Sequence, residues 1–247
     1  MKDEVETYQG TMSKEETLDQ LSEHARLDQI VQGRYWKHDE DGGGGPYGLL
    51  RGCAVGCLTH DRDGGHHKFP ELFGLPVWFA LLIDWIFEGL TVEEARLWPM
   101  RVMSAVPEGV TVDNSVKDRL AVRRLRELVL PLQDYWPEEV RDLVVEAIDG
   151  VVLALETGEG RDEARLSARE AGLIVVEAAR AAESAEAAAA ARSTRWATES
   201  ARSAATGVET AAARSAAWAA ESGRSAVTAG WAAEADLVIE ILEGIKA

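Results

Sequence analysis

The chain is poor in the residues that staple, kink or anchor a fold. Its only cysteines among 247 residues are Cys53 and Cys57, too few for a secreted disulfide scaffold. It has seven prolines, none of them after Pro137, so the last third of the sequence carries no residue that forbids a long helix. Basic residues are scarce. With 26 Lys and Arg against 43 Asp and Glu, the formal net charge is −17, and such a surface repels phosphate backbones and anionic membranes. Direct nucleic-acid binding and membrane association are therefore not expected. Long apolar runs are missing too. The longest, LPVWFALLIDWIFEGL from Leu75 to Leu90, is interrupted by Asp84 and is shorter than the roughly 20 residues that cross a bilayer. It reads as a buried helix. No charged-then-apolar signal segment opens the sequence, so a reducing cytoplasm is the expected location.

What the sequence does hold is helical periodicity. Residues 1–12 show none and read as a flexible tail. Ser13 and Glu16 form a capping box ahead of Leu18, Leu21, Ala25, Leu27, Ile30 and Val31, a run that Gly33 stops. Pro76 stands where a helix starts, and Thr91 with Glu94 makes a second capping box, followed by Pro99, which predicts a kink or break. A helix from about Asn114 to Leu130 carries Arg119, Arg123, Arg124 and Arg126, a basic run expected to form a solvated face paired with nearby acids. Pro131 is expected to end it. Trp136-Pro137-Glu138-Glu139 opens the next helix, which runs to about Thr157 before Gly158. No segment reads as a convincing strand.

Residues 161–247 are rich in alanine, serine, glutamate and arginine. Residues 192–213 and 214–235 align without gaps at 12 of 22 positions, and 22 residues are two units of eleven, the period that keeps an apolar stripe on one helix face. Alanine buries little surface, so such a helix needs a partner: the same chain turning near Thr206-Gly207, or another copy. The repeat passes through Gly207 without a gap, which favours a continuous helix of roughly 130 Å at 1.5 Å per residue. Trp196 and Trp218, 22 residues apart, read as packing residues of that arm. The fold class expected is all-α: a helical N-terminal domain over 13–158 with one Gly-rich loop, then a long alanine-rich helical arm over 161–247 that makes a homo-oligomer.

Between Arg34 and Lys68 periodicity disappears, and DEDGGGGPYG (39–48) opposes any helix. This stretch holds four of the five histidines, both cysteines, nine glycines, five basic and five acidic residues. Three chemical readings apply. A ligand pocket would use Arg51, Lys37 and Lys68 against an anion and Tyr35 or Trp36 to stack. Gly52 and Gly56 would admit close approach, and His60 would donate a hydrogen bond. A zinc site would take Cys53, Cys57 and His60, which share one face if the stretch is helical, with His66 or His67 as fourth ligand. A thiol enzyme would use Cys53 or Cys57 activated by His60. The bland alternative makes the cysteines and glycines a small-residue packing surface and the loop a charge-balanced one. We take the pocket over the metal site, so no cofactor is expected.

The order RYWKHDE, GLLRGCAVGCLTH, ELFGLPVWFALLIDWIFEGL and LWPMRVMSAVPEGV, followed by a tail of AARSAAWAAES type, resembles an uncharacterised family of bacteriophage and bacterial proteins. The resemblance covers about residues 34–110 and implies a phage or prophage accessory role, such as counter-defence. The functional expectation is a non-enzymatic protein that sequesters a small anionic ligand, plausibly a nucleotide immune signal. The alternatives are an acidic protein-binding inhibitor of a host factor and a zinc- or thiol-dependent hydrolase.

Overall fold

The computed structural model describes residues 10–33, 37–38, 50–61, 65–181, 185–205 and 227–245. It is 79% helical, with ten α-helices among the described residues, and the fold is all-α. Met1–Asp113 with Val238–Ala247 forms one compact unit, and Asn114–Leu237 forms a second.

In the first unit α1 (Lys14–Arg26) begins where expected: the Ser13 hydroxyl accepts from the Glu16 backbone N–H, and the Glu16 carboxylate accepts from Ser13. At the end of the expected tail, Thr11 and Met12 donate to the carbonyls of Glu71 and Leu72, and residues 1–9 lie outside the described residues. The apolar run becomes α4 (Val77–Gly89), with Phe79, Leu82, Ile83, Ile86 and Phe87 fully buried. Each such side chain contributes about 1.5–3 kcal/mol relative to exposure. On α5 (Val92–Ala105), started by the Thr91–Glu94 capping box, the helix continues through Pro99 without a break. Trp98 of α5 is buried and donates its indole N–H to the Ile83 carbonyl at 3.0 Å. Shorter elements fill the gap between these helices: β1 (Lys37–His38), β2 (Leu50–Arg51), α2 (Ala54–Thr59), a 3₁₀ turn (His66–Lys68) and α3 (Phe69–Phe73). The antiparallel β1–β2 pair, with Lys37 opposite Arg51, is a strand pairing where none was expected.

The second unit is built from α6 (Asn114–Arg124), α7 (Glu138–Thr157), α8 (Arg161–Ala181), α9 (Ala185–Ala205) and the part of α10 (Val227–Glu243) up to Leu237. Pro131 does not stop the helical path. Its ring crowds the carbonyl four residues back and it lacks an N–H, and the chain passes it by widening to a π turn over Leu125–Val129 and then tightening to a 3₁₀ stretch over Leu130–Tyr135. The alanine-rich sequence departs furthest from expectation. It does not extend as one rod, since α8 and α9 pack against each other and against α7. The turn considered near Thr206-Gly207, and Trp218, lie outside the described residues. On α9, Ala197, Ala201 and Ala204 are buried together with Ser193, Thr194, Thr198, Ser200 and Ser203. The threonine hydroxyls are satisfied locally, Thr194 donating to the Ala190 carbonyl and Thr198 to that of Arg195, both at 2.8 Å. Small side chains with self-satisfied hydroxyls let helices approach closely at little polar cost.

Candidate functional site

The expected pocket lies in the first unit, and the backbone around Gly52 organises it. After α1 the chain turns through Asp28, a non-glycine residue with φ of 55°; aspartate tolerates this left-handed region better than most residues. The turn sends Gln29–Val31 alongside Gly52. The Gly52 N–H donates to the Gln29 carbonyl and the Val31 N–H to the Gly52 carbonyl, both at 2.9 Å, making a parallel bridge between Ile30 and Gly52. What approaches Gly52 is therefore the chain itself. Immediately before Gly52, Arg51 of β2 reaches Asp28 at 3.4 Å, and the other Asp28 oxygen holds Arg96 of α5 at 2.9 Å. Two guanidiniums thus share one carboxylate on a face that solvent reaches: the side chains of Arg51, Asp28 and Arg96 are 29%, 57% and 46% exposed.

Immediately after Gly52, Cys53 caps α2, its sulfur accepting from the Gly56 N–H at 3.4 Å. Every residue of this six-residue helix is buried. Gly56 is a packing residue inside it. Cys57 donates its thiol to the carbonyl of Gly52 at 3.4 Å, and burial pushes its pKa up to about 12. The Cys53 thiol is raised further, first by burial and then by the charge of nearby Asp84. A nucleophilic or metal-bound cysteine must be a thiolate, and both environments hold these thiols protonated.

His60 ends α2 in the left-handed region, φ 51°, which turns its ring away from the face that the i, i+4, i+7 spacing predicted. It meets His24 instead, Nε2 to Nε2 at 2.7 Å, and His24 Nδ1 contacts Gln29 Oε1 at 2.7 Å. A hydrogen bond between the two Nε2 atoms needs one of them to donate and the other to accept. Burial, and secondarily His24, lowers the His60 pKa. His60, which a thiol enzyme would use to activate Cys53 or Cys57, makes a His–His contact. His66 lies in the 3₁₀ turn with Nε2 3.1 Å from Asp84 Oδ2, while the other Asp84 oxygen is buried without a hydrogen-bond partner. Among the described residues no group of three or more His, Cys, Asp or Glu side chains is arranged to hold a metal ion.

The expected set therefore divides. Arg51, Gly52 and the Lys37 backbone come together, Arg51 opposite Lys37 in the β ladder. Lys68 is drawn into a separate ion pair with Asp61 at 2.6 Å. Tyr35 and Trp36 lie outside the described residues. Asp28 and Arg96 are the residues that sequence reasoning missed. Arg96 looks like any surface arginine of an amphipathic helix, and only the tertiary fold carries it to Asp28.

No family model, curated protein or solved structure matches the chain. No helix among the described residues is long and apolar enough to cross a membrane.

Proposed function

We propose that the protein is a non-enzymatic binding protein that captures a small anionic ligand, with nucleotides as the class to test first, at the Arg51–Arg96 face of its first unit. The observation that carries this reading is the sharing of Asp28 by two guanidiniums. Arginine presents a planar fork of donors that matches phosphate or carboxylate oxygens. A ligand phosphate can take over the position of the Asp28 carboxylate between the two forks, and the partly exposed side chains leave that exchange open to solvent. Buried, protonated thiols and a His–His contact favour binding over catalysis. The sequence resemblance adds a context in which such capture is useful: a phage or prophage accessory protein that sequesters a host nucleotide signal in the cytoplasm.

Thermal-shift measurements with a nucleotide panel test the proposal. A stabilising nucleotide should be found, and Arg51→Ala or Arg96→Ala should each weaken its binding about tenfold, the typical worth of one charge-assisted contact. Lys68→Ala should leave binding unchanged, because Lys68 is engaged by Asp61. Asp28→Asn, which keeps a residue tolerant of positive φ and removes the competing charge, should strengthen it. Nucleotide binding that is indifferent to both arginines contradicts the assignment.

A further inference from the structure

A second concentration of positive charge lies in the other unit, where nothing in the sequence pattern marked a site. Helices α8 and α9 flank an open cavity of about 180 Å³ lined by Ala168, Arg169, Gly172, Leu173, Val176, Arg195, Thr198, Glu199 and Arg202. Its floor is set by a close approach: a Cβ placed on Gly172 would stand 3.2 Å from the Thr198 hydroxyl. On α8, Arg169, Leu173 and Val176 recur at helical spacing, and on α9 Arg195, Glu199 and Arg202 do the same, so each helix turns one continuous stripe towards the cavity. Three residues of sequence separate these packed helices, so they run antiparallel. With Gly172 against Thr198, Arg169 and Arg202 fall towards one end and Arg195 towards the other.

The charges around this cavity do not balance. Arg202 is held by Glu199, with Nε at 3.0 Å from a carboxylate oxygen. Arg169 and Arg195 make no ion pair with a described residue; the Arg195 guanidinium sits 5.7 Å from the centre of the Trp196 ring. Three guanidiniums and one carboxylate leave two positive charges facing the same space, in a chain whose net charge is −17. Surface arginines on helices ordinarily pair with an acid three or four residues away, as Arg165 does with Asp162 and Arg123 with Glu127. Leu173 adds an apolar wall, 60% exposed, on a helix that also exposes Leu166 and Ile174.

We infer that the α8–α9 cavity binds an organic phosphomonoester, its dianionic group between Arg169, Arg195 and Arg202 and its apolar body on Leu173 and Val176. A phosphomonoester carries about −1.5 to −2 charges at neutral pH, which matches the local excess. Arginine forks bind its oxygens in pairs. The volume is below the roughly 300–1,000 Å³ of pockets that enclose drug-sized molecules, which suits a small ester. The site shares no residue with the Arg51–Arg96 face, so it stands or falls independently of the proposed function.

Titration calorimetry on the full chain with phenyl phosphate, compared with inorganic phosphate at equal ionic strength, tests the inference. Phenyl phosphate should bind one per chain and about tenfold more tightly than inorganic phosphate, because only the ester reaches Leu173. The double variant Arg169→Gln/Arg195→Gln should lose at least tenfold in affinity with its helical circular dichroism intact. Glu199→Gln, which frees Arg202, should tighten binding. No binding by the unaltered protein, equal binding by the double variant, or weaker binding by Glu199→Gln overturns the assignment.

Discussion

His60 shows how a single residue acquires a role that its neighbours in sequence do not announce. Its spacing from Cys53 and Cys57 suggested a shared face, but the left-handed backbone at the end of α2 swings the ring to His24. A helix of six residues is too short for i+7 spacing to hold. Sequence periodicity says nothing about where such a helix stops. The consequence can be measured. Burial and His24 hold the His60 pKa below its ordinary 6.5, so the unfolded chain takes up a proton at higher pH than the folded one. The stabilising contribution is complete above about pH 6.5 and is lost as pH falls through the folded value. Urea unfolding between about pH 7.5 and pH 5.5 should therefore show a steeper loss of stability for the natural chain than for His60→Asn, which tolerates the same positive φ but does not titrate. Parallel pH profiles for the two would remove this account of the histidine pair.

At the scale of elements, capping chemistry was legible and termination was not. Ser13–Glu16 and Thr91–Glu94 form the boxes their spacing predicts, because both partners lie within one turn. Pro99 was expected to kink or break its helix and Pro131 to end one, yet α5 runs through the first without a break and a π turn carries the chain past the second. Packing of Trp98, Leu125 and Val129 in their cores outweighs the local cost. The basic run on α6 splits for a similar reason. Arg123 and Arg126 pair with Glu127 and Glu156 on the surface as expected. Arg124, next to the π turn, is fully buried and bound to the equally buried Glu234 of α10, with Nε at 2.8 and 3.0 Å from its two oxygens. A partner 110 residues away is invisible to any local pattern. Removing one member strands a buried charge, at a cost of about 3–5 kcal/mol. Glu234→Leu should lower the unfolding free energy by that amount, while Arg124→Met/Glu234→Leu together should recover most of it. A single variant as stable as the natural protein would show that the pair is not buried in solution.

Over the whole molecule, the all-α class was readable because helical periodicity, caps and the absence of alternating segments agree. The destination of the alanine-rich sequence was not readable. Alanine and serine keep one face compatible with many partners, so the gap-free repeat that favours a rod leaves a crossing to another copy or a reversal open as well. The structure has α8 and α9 reversing onto α7. The candidate sites follow the same division. Arg51 and Gly52 stood out as donors beside glycine in an irregular stretch, whereas Asp28, Arg96 and the α8–α9 arginines are brought together only by folding. With a net charge of −17, long-range attraction does not guide an anion to either site, and recognition depends on guanidiniums at contact distance. Native mass spectrometry after incubation with the nucleotide panel tests the central claim most directly, reporting copies per assembly and the mass of any carried ligand together. The account predicts a nucleotide retained unaltered by the natural chain and lost from Arg51→Ala/Arg96→Ala. Equal occupancy in both proteins, or release of a converted product, would contradict it.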